Sequence, residues 1–425
     1  MSLECSALFS GSDNPVARLP PGAPRVAFFP DAFSELADGV SNTSRRFESF
    51  ARDHGLPLLT ICGGPRNETL ALGSATRVQL RRGPVGFALE PAHDYDLLFL
   101  RHYRNLVPLV RAFRPDLVQI TGPSDVGALG TLIAQKLGIP LAATFQTNLH
   151  EFARMRTAAA LPHFLPKAIS SRLLAAVERG SLKAMMEFYK IPRLLFAPNQ
   201  ELIDFLTKTT GKPCLLMPHG VDTAAFNPEF RDRRPGPLQI GYVGRLSAEK
   251  NLRWLVRLEQ SLLARGLTNF QIVMVGRGVE EEWLRKNLRN AVFTGLLQGS
   301  GLSRAFANMD VFAFPSETDT FGLVVLEALS SGVPAVVTTR GGPKYSVQNG
   351  RTGFVAGDFD EFAACVENLL TQPELRSCMG QEARRYALSF SWDRTFEAMY
   401  AAYDCFFFPV DRPCAPEMAC DQANN

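Results

Sequence analysis

The chain has 425 residues, of which 46% are hydrophobic and 20% charged, and its formal net charge is +3. That length exceeds one ordinary domain and predicts two or three, and the composition is that of a globular protein rather than a disordered or fibrous one. The near balance of charge gives no global drive toward nucleic acid, the eight cysteines contain no C-x-x-C pair that would signal a zinc site, and no apolar run is long enough to span a bilayer.

Residues 1–24 lack a basic start followed by a continuous apolar core, so they read as a disordered leader on a cytoplasmic chain. Arg25 to Pro30 is a short apolar strand, followed by a turn-rich loop (31–43) and a helix with charged faces, Ser44 to His54. Strand, loop and helix make the first unit of a doubly wound lobe, whose ligands sit beyond the carboxyl ends of the strands. Further strands are expected at Pro57 to Cys62, Leu117 to Ile120 and Leu141 to Phe145, with helical patterns between them, which predicts a parallel sheet.

Asp94-Tyr95-Asp96 has the spacing of a carboxylate pair able to hold a divalent cation. It also opens a predicted helix, Asp96 to Arg104, where acids cap and favour the dipole, and that reading leaves the site without a metal. The loop after Phe145 packs polar side chains into a few positions, among them Gln146, which hydrogen-bonds without titrating, and His150, which titrates. Leu161 to Arg193 interleaves Leu, Met and Phe with Lys and Arg, a pattern that fits either core-facing helices or a patch resting on a membrane.

Phe196 to Asn199 and Leu215 to Met217 close the first lobe, and the charge- and proline-rich RDRRPGP run reads as a linker. Leu238 to Val243 is the first strand of the second lobe and ends at Gly244 in a tight turn. Ser247 then stands as a helix N-cap, with Arg245 before it and Lys250 in the first helical turn, two cations able to neutralise a diphosphate. Ile272 to Val275 leads into Gly276-Arg277-Gly278, but a dinucleotide fingerprint needs a further glycine where Glu281 stands, which disfavours a nicotinamide oxidoreductase.

The stretch from Phe314 to Gly342 carries the densest signal. A strand (Val311 to Phe314), a loop, a helix (Phe321 to Leu329), a Gly332-Val333-Pro334 break and a β-branched strand (Ala335 to Thr339) follow one another. Asp319 lies in the loop and Glu327 about two turns inside the helix, with Gly322 between them admitting a ligand to the backbone. An ionised carboxylate accepts two hydrogen bonds from a cis-diol such as a ribose, and a helix N-terminus offers free N–H groups to a diphosphate.

Acid-x7-Glu with Phe-Gly after the acid, then Glu-Ala-Leu, Ser-Gly-Val-Pro and Gly-Gly, resembles the signature of the retaining nucleotide-sugar glycosyltransferases of family 4. The resemblance implies an α/β chain of the GT-B fold, two doubly wound Rossmann-like lobes with a cleft between them. Residues 25–222 would form the acceptor-binding lobe, 223–237 the linker, 238–390 the nucleotide-sugar lobe, 391–408 a helix crossing back to the first lobe, and 409–425 a disordered tail. It places Glu327 on the ribose, and Asp319 with Thr320, Phe321, Gly322 and Leu323 at the donor sugar and phosphates. Gly244 and Gly276 would flank the nucleotide, and Gly39, in Asp38-Gly39-Val40, would approach the donor phosphates and acceptor. Arg245 and Lys250 would neutralise the leaving diphosphate with neither metal nor cofactor.

Two positions depart from the family pattern: Asp319 stands where Glu is usual, and Gln146 where His is usual, so that Gln146 or His150 is left to address the sugar. The implied activity moves a hexose, mannose or glucose, from a GDP- or UDP-linked donor to a lipid or glycan acceptor with retained configuration. It also implies peripheral contact with the inner face of the cytoplasmic membrane and no nucleic-acid partner. A pseudoenzyme that only binds nucleotide sugars is the alternative, motivated by Gln146 and Asp319.

Overall fold

A computed structural model describes residues 22–34, 39–83, 86–90, 93–146, 167–232 and 235–408. Uninterrupted apolar runs too short for helices build the centre of the first sheet. They are β1 (Val26–Phe29), β7 (Leu117–Ile120), β8 (Leu141–Thr144) and β9 (Leu194–Ala197), each buried along its whole length. With β2 (Leu58–Gly64), β3 (Glu68–Leu72), β4 (Ala75–Arg81) and β10 (Cys214–Leu216) they form eight strands in the order β10-β9-β8-β7-β1-β2-β4-β3. β5 (Gly86–Glu90) and β6 (His93–Asp96) pair apart from it as an antiparallel hairpin.

The pleat of β1 divides its side chains between two cores. Ala27 and Phe29 join Leu106 of α2 (Tyr103–Phe113), Ile133 of α3 (Asp125–Leu137), Met186 of α4 (Lys167–Tyr189) and Leu206 of α5 (Gln200–Thr210). Val26 and Phe28 face the other way, onto Phe47 and Phe50 of α1 (Gly39–Asp53).

The second sheet is parallel throughout, in the order β13-β12-β11-β14-β15-β16. Its strands are β11 (Leu238–Val243), β12 (Phe270–Val275), β13 (Ala291–Gly295), β14 (Val311–Phe314), β15 (Ala335–Thr338) and β16 (Gly353–Ala356). Around it lie α6 (Arg253–Ala264), α7 (Glu281–Asn287), α8 (Gly299–Asn308), α9 (Leu323–Ser330), α10 (Phe359–Thr371) and α11 (Pro373–Ala387). In each sheet the first strand sits where the order reverses, β1 between β2 and β7 and β11 between β12 and β14. Those are the points where doubly wound sheets open a crevice for ligands.

The last helix, α12 (Trp392–Phe407), leaves the second lobe and packs Trp392, Phe396, Met399 and Tyr400 into the α1 face of the first. Its Tyr403 hydroxyl donates to Gln119 Oε1 of β7 at 2.8 Å, and its entry is tight, because a Cβ at Gly220 would lie 2.3 Å from the Trp392 nitrogen.

Three expectations are corrected. The first helix begins at Gly39, not Ser44, because Thr43 and Ser44 satisfy their hydroxyls on the carbonyls of Gly39 and Val40 and so sit comfortably inside it. The interval between β2 and α2 holds the strands β3 to β6 rather than helical segments, and β3 runs antiparallel, so the first sheet is mixed at its edge. Asp96 ends β6 instead of opening a helix; α2 starts at Tyr103 after a single 3-10 turn, Phe99–His102. The described part of the mixed basic and apolar segment is the helix α4, in which Met185, Met186 and Tyr189 are buried while Arg172, Leu173 and Arg179 are exposed. Residues 1–21, Asp38, His150 and the tail 409–425 lie outside the described residues.

Candidate active site

Between β14 and α9 runs the loop Pro315 to Gly322, at the carboxyl edge of the second sheet. Gly322 caps α9 in the left-handed region (φ 80°), a conformation a side chain disfavours, and a Cβ there would also press on Pro343 at 3.0 Å. At the neighbouring edge, a Cβ on Gly276 would lie 2.0 Å from the carbonyl oxygen of Gly244, so the turn after β12 closes on the turn after β11 only because Gly276 has no side chain. The backbone is thereby left bare along this edge.

Lys250 Nζ donates to Asp319 Oδ1 at 2.7 Å, and both side chains are largely shielded. Burial alone would push the Asp319 carboxyl up; the Lys250 charge and hydrogen bond, with help from Ser316 and Arg245, hold it below the usual carboxylate range. Asp319 Oδ2 has no hydrogen-bond partner. Arg245 lies 3.7 Å from Glu249, whose carboxylate also takes the Ser247 hydroxyl. That contact corrects the expected local structure. Ser247 donates its hydroxyl to Glu249 and makes no capping hydrogen bond, Ala248–Lys250 is a 3-10 turn ended by Asn251 in the left-handed region, and α6 starts only at Arg253. Lys250 therefore closes a short turn and is not in the first turn of an α-helix.

Glu327 sits one turn into α9, nearer its start than expected. Its carboxyl makes no hydrogen bond or ion pair among the described residues, and burial pushes its pKa up to about 7, with Arg46 acting in the opposite sense. Arg46 belongs to α1 of the other lobe, where it is paired with Asp222 at 2.8 Å. Gly39, at the start of α1, also faces this region: a Cβ on it would lie 3.3 Å from Leu323 Cδ1.

The first lobe meets the loop at three further points. Thr320 Oγ1 donates to the Gln146 carbonyl at 2.8 Å, Asn199 Nδ2 donates to the Thr320 carbonyl at 2.8 Å, and the His219 ring stacks on Phe321 with centroids 4.7 Å apart. Gln146 is buried, its Oε1 has no partner, and it lines a cavity with Thr43, Ser44, Thr121 and Thr144. His219 is enclosed so completely that burial pushes its pKa down to about 4, which makes it a neutral platform for Phe321 at physiological pH.

Gly39, Gln146, Gly244, Arg245, Lys250, Gly276, Asp319, Thr320, Phe321, Gly322, Leu323 and Glu327 are thus joined by a continuous chain of contacts around the two sheet edges. Three residues outside the predicted set join them: Arg46, Asn199 and His219. Only Asn199 carried a legible signal, a capping residue just after a strand. Asp31 follows β1 and accepts from Ser124 Oγ at 2.6 Å, and burial above all pushes its carboxyl up to about 7.

Asp96, by contrast, is fully engaged within its own lobe. It accepts from the nitrogens of Gly83 (2.7 Å) and Leu98 (2.9 Å) and pairs with Arg101; against the upward push of burial these partners keep its pKa low. No group of three or more His, Cys, Asp or Glu side chains among the described residues is placed to hold a metal ion.

Residues 237–372 match the family model described as glycosyl transferases group 1. A GDP-mannose-dependent alpha-mannosyltransferase of Mycolicibacterium smegmatis is 30% identical over 392 residues, covering 89% of this chain and 97% of that protein. The sulfoquinovosyl transferase SQD2 of Arabidopsis thaliana is 28% identical, over 87% of this chain and 71% of that protein. Among solved structures, sucrose-phosphate synthase from Thermosynechococcus elongatus superposes with a TM-score of 0.68 at 16% identity, over 90% of this chain and 99% of that one.

Proposed function

The chain belongs to the group 1 glycosyl transferases, with the two-lobed GT-B fold, and we propose that it moves a mannosyl residue from GDP-mannose to a hydroxyl of a lipid or glycan acceptor held between the lobes. The observation that carries this reading is the pairing of two unlike acids at one sheet edge. Glu327 is half-buried and has no partner among the described residues, suited to the two hydroxyls of a ribose; Asp319 is ionised beside Lys250, with one oxygen unspent for the sugar. GDP-mannose is favoured over UDP-glucose because the Mycolicibacterium smegmatis relative, matched over nearly its whole length, bears that donor in its name.

In the reaction the bond between C1 of the sugar and the β-phosphate oxygen breaks, and the acceptor oxygen forms its bond to C1 on the same face. The acceptor proton passes to the departing phosphate, so configuration is retained without a protein nucleophile. Lys250 and Arg245 stabilise the charge that grows on the diphosphate, which makes a divalent cation dispensable. Asp319 reaches Lys250 despite being shorter than the usual Glu, so that departure gives no ground for a pseudoenzyme.

A lipid acceptor and peripheral membrane contact are favoured by one surface. Leu97, Leu98 and Leu100 are exposed by 67%, 56% and 48%, beside Arg101, Arg104, Arg111 and Arg114, with no acidic residue between 97 and 114. Apolar residues flanked by cations suit an anionic bilayer surface, and Asp96 and Arg101 tie this segment to Gly83 and Arg81 at the end of β4, on the cleft edge of the sheet. No helix among the described residues is long and apolar enough to cross a membrane.

The test is a turnover panel crossing GDP-mannose and UDP-glucose with methyl and octyl α-mannoside, which differ only in the tail. Mannosylated octyl mannoside with α configuration, formed fastest from GDP-mannose, is the expected product. Preference for UDP-glucose would replace the donor, equal rates with the methyl glycoside would remove the lipid preference, and an inverted product would exclude retention.

A further inference from the structure

Asn199 performs two tasks with its two amide atoms. It follows β9 in an extended conformation and caps α5, its Oδ1 accepting from the Leu202 nitrogen at 3.0 Å. Its Nδ2 donates across the interlobe cleft to the Thr320 carbonyl at 2.8 Å. The side chain is 4% exposed, so this contact is shielded from competing water.

Thr320 is the residue between Asp319, which pairs with Lys250, and Phe321, which stacks on His219. Its carbonyl is taken by Asn199 and its hydroxyl is given to the Gln146 carbonyl, so both of its polar handles are held by the first lobe. The first turn of α5 repeats the arrangement one step away: Glu201 accepts from Lys344 Nζ at 2.8 Å and from the Tyr345 hydroxyl at 3.1 Å, just beyond Pro343, which backs Gly322. One helix start in the acceptor lobe thus grips the donor loop on both sides.

Resting on the nucleotide-sugar reading above, we infer that Asn199 is a positioning residue for sugar transfer, fixing Thr320 across the cleft so that Asp319 and the backbone of the donor loop are aimed at the acceptor lobe. It touches no reacting atom. Its effect is on how often the two lobes stand in the geometry required for transfer, and a small misplacement there costs turnover far more than nucleotide affinity.

The two tasks are separable by substitution. Asn199→Ser keeps a capping oxygen at the start of α5 but is too short to carry a donor to Thr320; Asn199→Ala loses both. With GDP-mannose and octyl α-mannoside, Asn199→Ser is expected to lower kcat at least tenfold, while the dissociation constant for GDP stays within twofold and the melting temperature stays near that of the native chain. Asn199→Ala should lose kcat similarly and melt a few degrees lower. In solution scattering, both variants should have a larger radius of gyration than the native chain.

A kcat within twofold of native in Asn199→Ser would overturn the inference, as would a radius of gyration equal to native. So would a Tm for Asn199→Ser as low as that of Asn199→Ala with GDP affinity falling in step, since that pattern marks a purely structural residue. If the native chain transfers no hexose, the functional reading fails on its own, and scattering still decides whether Asn199 holds the lobes.

Discussion

Asp96, buried at the end of the β5–β6 hairpin, and Glu327, half-buried in α9 beside the second sheet, are carboxyls that end in opposite states. Asp96 is fully engaged by its own lobe: two backbone N–H groups and Arg101 hold it ionised, and its own N–H is taken by Asp125 at 2.9 Å. Among the described residues no donor is committed to Glu327, and burial lifts its pKa to about 7. A carboxylate whose bonds are already spent is part of the scaffold; one that is desolvated and unspent costs the fold stability, and that cost is repaid only by a ligand. This contrast separates the two acid motifs of the chain, Asp94-x-Asp96 and Asp319-x7-Glu327, better than their spacing does.

The largest effect expected from the ligand-facing side is at Lys250. Lys250→Ala should lower turnover by about 10² to 10³, the loss seen when one aimed charge donor is removed. Because Lys250 also holds Asp319 ionised against burial, the variant should melt a few degrees lower at neutral pH. Turnover that survives with only a raised Michaelis constant would make Lys250 a ground-state contact and erase the distinction drawn here.

On the scaffold side, Asp96→Asn should cost about 2 to 4 kcal/mol of stability, since it removes the charge from a shielded hydrogen-bonded centre, and leave GDP affinity unchanged. Calorimetric melting together with GDP titration checks both halves, and a loss of GDP affinity without a loss of stability would reverse the assignment.

A pH comparison sharpens the contrast further. Glu327 binds its proton more tightly folded than unfolded, so its contribution is fully present below the unfolded value near 4.5 and is lost as pH rises through about 7. Glu327→Gln should therefore gain melting temperature relative to the native chain at pH 8 and show no such gain at pH 4.5. Equal differences at both values would mean that Glu327 is not desolvated.

The smallest effect is expected from Asp94→Ala and from EDTA, neither of which should change turnover if, as proposed, Arg245 and Lys250 supply the cations at the diphosphate. Loss of activity in EDTA, restored by manganese, would break the metal-free account.

Most of the strand framework was legible because its members are short apolar runs ended by Gly, Pro or Asp. β7, β11 and β14 stand where the pattern puts them, since nothing but burial on both faces decides a run such as LVQI or VFAF. The β3–β4 hairpin was missed although Val78 and Leu80 of ATRVQLR alternate with Arg77, Gln79 and Arg81, their side chains buried in one core while Ala75 faces the other; the charged, half-exposed residues between them hid the signal. Ser247 misled as well: it precedes a 3-10 turn that Asn251 ends in the left-handed region, its side chain makes no capping hydrogen bond, and its hydroxyl donates to Glu249 two residues on. Asp319 and Glu327 could be named from sequence, whereas Arg46 and His219 join the candidate site only through the approach of the second lobe to the first, which no local pattern encodes; Asn199 carried a capping signal, but its reach to Thr320 depends on the same approach.

The central claim is that the unspent Glu327 carboxyl takes the ribose diol of the donor, and the most direct measurement is a binding cycle with GDP and 2′,3′-dideoxy-GDP on the native chain and Glu327→Gln. Charge-assisted hydrogen bonds to a diol are worth about 1.5 to 3 kcal/mol, so the native chain should bind GDP roughly ten- to a hundred-fold tighter than the dideoxy form. In Glu327→Gln that ratio should collapse to a few-fold, with both ligands binding about as weakly as the dideoxy form binds the native chain. The same large ratio in both proteins would show that another group reads the ribose, and would contradict the account.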